Sequence, residues 1–367
     1  MKGLYIHIPF CKSICSYCDF PKIIAKSSVH EIYVDTLIKE IDYYFSNNKL
    51  NNIDTVYIGG GTPNSINLSL LNKILAKLKP ILINSIENSI ELNPELVTEE
   101  LCALLKEYNI NRISLGVESI VEKNIKTLNR HHDRKIVINS YNLLKKYGFD
   151  NINIDFMFGI PNENISDVDC DLNFINEINP KHISFYSLIL EDKTILKYKV
   201  DKKEIALLDD DLVADMYDLI KNRLNELGYH HYEISNFAYP GYESKHNLLY
   251  WNCDEYIGLG ASSCGYIDHI RYQNNKIVAK YLKKWLDDYE KLSIFDEKEE
   301  YFMLGLRKID GVSISKYIQK FKSDPFNEFK IAELIEKGLL ELNGDILKIK
   351  YDKIFVGNLV FEEFVGE

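Results

Sequence analysis

Three cysteines within eight residues are the first feature of this sequence that asks for a chemical explanation. They stand as Cys11, Cys15 and Cys18 in HIPFCKSICSYCDF, a C-x3-C-x2-C spacing. Thiolates on so compact a loop can occupy three corners of an iron–sulfur cubane, leaving the fourth iron open to an external ligand. A structural zinc site would want four ligands, usually as two pairs. The remaining cysteines, Cys102, Cys170, Cys253 and Cys264, are scattered singly, and His7 is the nearby residue that could complete a tetrahedron.

A second block, YIGGGTPN at 57–64, places three glycines where a strand-like run ends. Glycine lets backbone amides approach a ligand closely, and it serves a tight strand-to-helix turn equally well. Both readings stand on the residues alone.

These loops need elements to hold them. Short apolar runs at 3–8, 55–58, 89–92, 112–116, 151–158 and 182–188 alternate with helical patterns at 32–45, 70–83, 99–108, 137–147 and 168–178. A βαβα succession with near-continuously apolar strands predicts a parallel sheet covered by helices. The unusual residues all fall at or just past strand C-termini, contributed by many strands in turn, which favours a partial (β/α)6 TIM-like barrel over a doubly wound sheet. The expected division is a core barrel over 1–230, a connecting segment over 231–296, and a smaller C-terminal α+β domain over 297–367. The last has a helix and two short strands around Asn343-Gly344, a winged-helix-like pattern.

The bulk numbers narrow the class. With 367 residues, 46% hydrophobic and 27% charged, the chain has the make-up of a folded globular protein. Its 55 acidic against 44 basic side chains leave a formal charge of −11, which argues against general nucleic-acid affinity. No apolar run approaches the roughly 20 residues that span a bilayer. The cysteine loop follows so soon after Met1 that no removable signal peptide fits before it, so the expected location is cytoplasmic. Seven cysteines there are not a disulfide framework.

The C-x3-C-x-[aromatic]-C loop after a YIHIPF strand resembles the radical S-adenosylmethionine (SAM) superfamily. The surrounding blocks, from Tyr5 to the last residues, resemble the branch that holds oxygen-independent coproporphyrinogen III oxidase and its heme-chaperone relatives. The resemblance implies a 4Fe–4S cluster on Cys11, Cys15 and Cys18, with SAM on the open iron. It implies that Gly60, Gly61 and Thr62 receive the SAM amino group, that Glu91, Arg130 and Asp155 make polar SAM contacts, and that Tyr5 and Tyr17 neighbour the site. Glu118 stands where the family commonly has Gln, and is carried over as a SAM contact with that departure.

Within the branch, two features set this chain apart from the oxidase: a cluster loop starting at residue 11 and Phe20 in place of a further cysteine. A third, His246-Asn247-x-x-Tyr250-Trp251 in SKHNLLYW, matches a motif tied in the heme-chaperone family to heme binding. Imidazole is a common heme ligand, and Tyr and Trp pack well on a porphyrin face; a loop histidine beside two core aromatics is the plainer alternative. Cys264 stands in GASSCGY where relatives often have His or another small residue. The implied function is heme binding through His246–Trp251 and delivery to acceptor hemoproteins, with cluster and SAM gating the transfer. A homodimer and peripheral membrane contact through an acceptor remain compatible with this reading. Coproporphyrinogen III oxidation, or radical chemistry on an unrelated substrate, are the alternatives. No residue is assigned a catalytic role.

Overall fold

The computed structural model describes residues 1–366. Six parallel strands form its centre: β1 (Lys2–Ile8), β2 (Thr55–Gly60), β3 (Glu87–Leu92), β4 (Arg112–Glu118), β5 (Asn151–Phe158) and β6 (His182–Ser187). They pair in sequence order. The crossovers carry α1 (Ser27–Ser46), α2 (Leu68–Leu82), α3 (Glu99–Glu107), α4 (Glu122–Leu128), α5 (Arg134–Lys146) and α6 (Ile165–Ile178). Leu4, Ile6, Val56, Ile58, Ile113 and Ile154 are fully buried, as strands covered by helices require. Helix starts are set locally. Thr98 and Asp133 cap α3 and α5, and Asn164 with Asp167 forms a capping box on α6.

All six expected strands are present, most one or two residues longer than the apolar runs. The added residues are Lys2, Glu87 and Asn88 at N-terminal ends and Gly59, Gly60, Val117 and Glu118 at C-terminal ends, mostly polar or glycine and so hidden from a hydrophobicity count. Helix α4 lies outside the expected set, being a seven-residue element with a mixed pattern.

The barrel is partial and does not close. After α7 (Ile195–Asp201) and α8 (Asp210–Glu226) come β7 (His230–Glu233) and β8 (Asn236–Ala238); β8 pairs antiparallel with β6, and β7 antiparallel with β8. Helix α9 (Lys245–Trp251) then leads to β9 (Glu255–Leu259), which runs parallel to the far edge of β1. A meander of β10 (Cys264–Ile267), β11 (Ile270–Asn274), α10 (Val278–Tyr281) and β12 (Leu286–Lys291) extends that edge. The result is one twelve-stranded sheet, ordered β12-β11-β10-β9-β1-β2-β3-β4-β5-β6-β8-β7. Residues 231–296 thus supply strands to both edges of the sheet. Buried Glu40 of α1 pins this extension, accepting from Gly260 N at 2.9 Å and Asn274 Nδ2 at 2.6 Å.

The C-terminal part runs α11 (Ile294–Gly305), β13 (Val312–Ser313), α12 (Ile314–Phe321), α13 (Ile331–Glu336), β14 (Leu340–Asn343), β15 (Ile346–Ile349) and α14 (Asn358–Phe361). Its three strands form a separate antiparallel sheet, in the winged-helix-like order expected. Phe302 of α11 anchors it, with its ring 4.8 Å from Phe364 and 5.1 Å from Tyr317. Among the described residues no helix is long and apolar enough to cross a membrane.

Candidate functional site

The parallel strands deliver the candidate residues to one crevice, at their C-terminal ends. The cysteine loop leaves β1, and Cys11, Cys15 and Cys18 are all free thiols of intermediate burial. Burial pushes the Cys11 and Cys15 thiols up, while the Thr62 hydroxyl and the Arg130 charge respectively pull them back. Thr62 Oγ1 lies 3.5 Å from Cys11 Sγ, and Arg130 Nη1 lies 3.6 Å from Cys15 Sγ. A Cβ on Gly61 would meet Phe10 O at 2.8 Å and Cys11 Sγ at 3.0 Å, so the loop packs against a residue that must lack one.

Three thiols with cationic and hydroxyl donors around them suit an iron–sulfur cluster, whose irons each take a different sulfur. A four-ligand zinc site does not fit. His7 has Nδ1 2.9 Å from the Tyr5 hydroxyl and Nε2 3.1 Å from Pro21 O, so neither nitrogen is spare. Among the described residues no three His, Cys, Asp or Glu side chains converge on a single metal position.

Beyond the loop, Glu91 on β3 accepts from Gly60 N at 3.0 Å and from Tyr57 Oη at 2.9 Å. Burial pushes its carboxyl up to about 7 in spite of both donors. Gly60 has φ +119°, and a Cβ there would strike the His7 ring. On β5, Asp155 accepts from Ser114 Oγ at 2.8 Å and Asn153 Nδ2 at 2.9 Å, and burial raises its pKa.

Glu118 ends β4 at a bulge and has φ +62°, an unusual conformation for a residue with a side chain. The bulge turns its carboxylate to Arg130, with Oε2 2.9 Å from Nε. Burial pushes Glu118 up to about 7 against the opposing Arg130 charge; Arg130, although buried, is held more firmly protonated by Glu118. Arg130 Nη2 also donates to Gly116 O. Tyr17 packs against Leu128, Met157 and Ile160 and acts on Glu118 as a hydrogen-bond partner.

The structure therefore gathers Tyr17, Gly60, Gly61, Thr62, Glu91, Glu118, Arg130 and Asp155 around the cysteine loop. It separates the His246 motif from them. Helix α9 packs at the opposite, N-terminal end of the strands, where Glu87 accepts from His246 N at 3.0 Å and Lys245 N at 3.1 Å. His246 is 1% exposed. Its Nδ1 lies 2.7 Å from Thr55 Oγ1 and its Nε2 2.8 Å from the Tyr250 hydroxyl, while its ring stacks on Tyr57 at 5.2 Å. Burial pulls it down to about 3, so it is a neutral imidazole with both nitrogens engaged. In this structure the ring, expected as a heme ligand, joins α9 to the barrel through Thr55 and Tyr250. Asn247 is half-buried, and its backbone N–H bonds the capping Ser244 hydroxyl.

Tyr250 and Trp251 instead reach a groove of about 400 Å3, walled also by Tyr5, Phe20, Cys264 and Arg271. It lies between β1, the β9–β11 edge and α11. No local pattern marks Tyr256 or Arg271 as wall residues, because the sheet edge that brings them there is a tertiary feature. His7 was legible as a site neighbour from its i, i+2 relation to Tyr5 on one strand.

The radical SAM superfamily model matches residues 5–175, and the HemN C-terminal domain model matches residues 296–350. Over 371 residues the chain is 38% identical to the heme chaperone HemW of Lactococcus lactis, covering 98% of this chain and 96% of that protein. It is 34% identical over 378 residues to heme chaperone HemW of Bacillus subtilis, covering 100% of both. Among solved structures, the radical SAM enzyme coproporphyrinogen III oxidase (HemN) of Escherichia coli superposes with a TM-score of 0.85. That match covers 99% of this chain and 89% of the other at 20% identity, and so speaks to the fold alone.

Proposed function

Because this chain belongs to the HemW family of the radical SAM superfamily, we propose that it binds heme and delivers it to acceptor hemoproteins, with an iron–sulfur cluster and SAM gating the transfer. The observation that carries this reading is the full-length likeness to proteins named heme chaperones, at 38% and 34% identity. The oxidase alternative has only a shared fold behind it. Phe20, 63% exposed, stands where the oxidase pattern has a further cysteine.

On this reading Cys11, Cys15 and Cys18 hold three irons, and a cluster with SAM on its open iron supplies one-electron chemistry there. Thr62 and Arg130 steady the thiolates by donating to sulfur. Gly60 and Gly61 bring the backbone close to the SAM amino group, while Glu91 and Asp155 accept from its ammonium or ribose hydroxyls. Arg130, whose Nη2 donates to Gly116 O and whose Nη1 lies beside Cys15 Sγ, supplies a fixed positive charge for the methionine carboxylate. Glu118 keeps that guanidinium in place.

Anaerobically reconstituted protein should develop a Soret band on heme titration and pass the heme to an apo-hemoprotein. Incubated with coproporphyrinogen III, SAM and a reductant, it should form no protoporphyrinogen. Absence of heme binding, or robust decarboxylation, would overturn the reading.

A further inference from the structure

Helix α4 and the cysteine loop complete one another. A helix leaves its last four carbonyls without partners inside the helix. In α4 two of them, Ile125 O and Lys126 O, accept from Arg130 N at 3.0 Å and Asn129 N at 3.2 Å. The other two accept from a single residue of the cysteine loop. Ser16 Oγ donates to Thr127 O at 2.6 Å, and Ser16 N donates to Leu128 O at 3.0 Å. Asn129, at φ +57°, ends the helix and sends Nδ2 to Ile14 O at 2.8 Å. From the other side Leu196 N of α7 donates to Ser16 O at 2.8 Å. Ser16 is 1% exposed, with its amide, carbonyl and hydroxyl all engaged.

The segment that grips the loop is itself fixed. Before α4, Ser119 Oγ and Ile120 N donate to the two carboxylate oxygens of Asp171 on α6, both at 2.8 Å. Within α4, Asn124 Nδ2 reaches Glu163 Oε1 at 2.8 Å. Asp171 and Asn124 are fully buried. After the helix the chain passes from Asn129 into Arg130, whose Nη1 lies 3.6 Å from Cys15 Sγ. One anchored segment thus holds the backbone on both sides of Cys15 and sets a cation beside its sulfur. None of the hydrogen bonds at Ile14 and Ser16 involves sulfur, so they form whether or not iron is bound.

Resting on the iron–sulfur reading of the loop, we infer that Ser16 and Asn129 are positioning residues that preset the Cys15–Cys18 arm for cluster assembly. Groups behind the ligands of a metal site orient those ligands. Ordering the arm beforehand takes its loss of conformational freedom out of the assembly step. The arm's own turn is closed by Cys18 N to Cys15 O at 3.4 Å. Cys11 is held separately, its N–H donating to Ile23 O at 3.1 Å, so the clamp acts on the other two thiols.

Hydrogen exchange of iron-free, full-length protein reads the clamp without any activity assay. Ser16→Ala deletes the hydroxyl, and Asn129→Gly deletes the amide donor while suiting the left-handed backbone. Ser140→Ala removes a comparable buried hydroxyl on α5, where Oγ donates to Val137 O at 2.9 Å, and is the control for stability alone. The Ser16 amide should be protected in wild type and exchange about 5- to 10-fold faster in both loop variants. On addition of iron and sulfide, these two should assemble the cluster more slowly by a similar factor, and Ser140→Ala at the wild-type rate. An unprotected Ser16 amide in iron-free wild type, wild-type exchange and assembly in the loop variants, or equal slowing in Ser140→Ala would overturn this inference while leaving the cluster reading intact. No cluster in wild type would overturn both.

Discussion

Arg130 Nε and Glu118 Oε2 lie 2.9 Å apart, with side chains only 7% and 11% exposed, immediately behind the loop that carries Cys15. Removing one partner of such a pair strands a buried charge. Glu118→Ala should therefore lower unfolding stability by about 3 kcal/mol or more, measured by anaerobic urea denaturation. Glu118→Gln retains an acceptor for Arg130 and should lose clearly less; equal losses would show that the pair does not hold the loop.

Glu91 makes a pH-dependent contribution of known sign. Its carboxyl is raised from 4.5 to about 7 by burial, so the folded state holds a proton that the unfolded chain releases. The stability this adds is fully present below pH 4.5 and is lost as pH rises through about 7. The difference in stability between wild type and Glu91→Gln should shift against wild type across that window, and change little above it. A flat difference between pH 4.5 and 7 would contradict the burial assigned to this group.

His246 holds α9 to the barrel through Thr55 and Tyr250. Its replacement by alanine leaves a cavity beside Tyr57 and breaks both hydrogen bonds, at a cost of about 2–4 kcal/mol. The thermal midpoint should fall by several degrees. The folded fraction should keep the wild-type heme spectrum, because the ring offers no free nitrogen; loss of the spectrum with unchanged stability would restore His246 as a ligand.

Gly61 has no room for a methyl group. A Cβ would press on Phe10 N and O at 2.9 and 2.8 Å, backbone that cannot swing aside. Gly61→Ala should fold its barrel, judged by circular dichroism, yet retain well under half the wild-type iron and sulfide after reconstitution. Full cluster loading in this variant would mean that the β1 loop is more yielding than its packing indicates.

The cysteine loop was legible from spacing alone, since three sulfurs on one short segment need no tertiary structure to be brought together. The strands were legible for a related reason: burial on both faces writes itself as continuous apolar runs, and chemistry at their C-terminal ends follows from parallel topology. Glu91, Glu118, Arg130 and Asp155 entered through family likeness. Their meeting in one crevice depends on four separate crossovers, and the left-handed conformation of Glu118 leaves no mark in its residue type.

What folding alone decided is the meaning of the second motif. In sequence, His246, Tyr250 and Trp251 form one unit, and histidine is the natural metal ligand among them. In space the helix divides them. His246 turns inward beneath the barrel, where Thr55 lies 191 residues away in the chain, while Trp251 turns toward a groove completed by a sheet edge and α11. Local spacing sets which groups a short segment carries. Which of them faces a ligand depends on where distant strands and helices pack, because burial is a property of the assembled surfaces. Spacing along the chain is thus enough for a three-thiolate loop at the mouth of a parallel barrel, whereas packing of distant elements leaves Cys264, and not His246, on the wall of the groove.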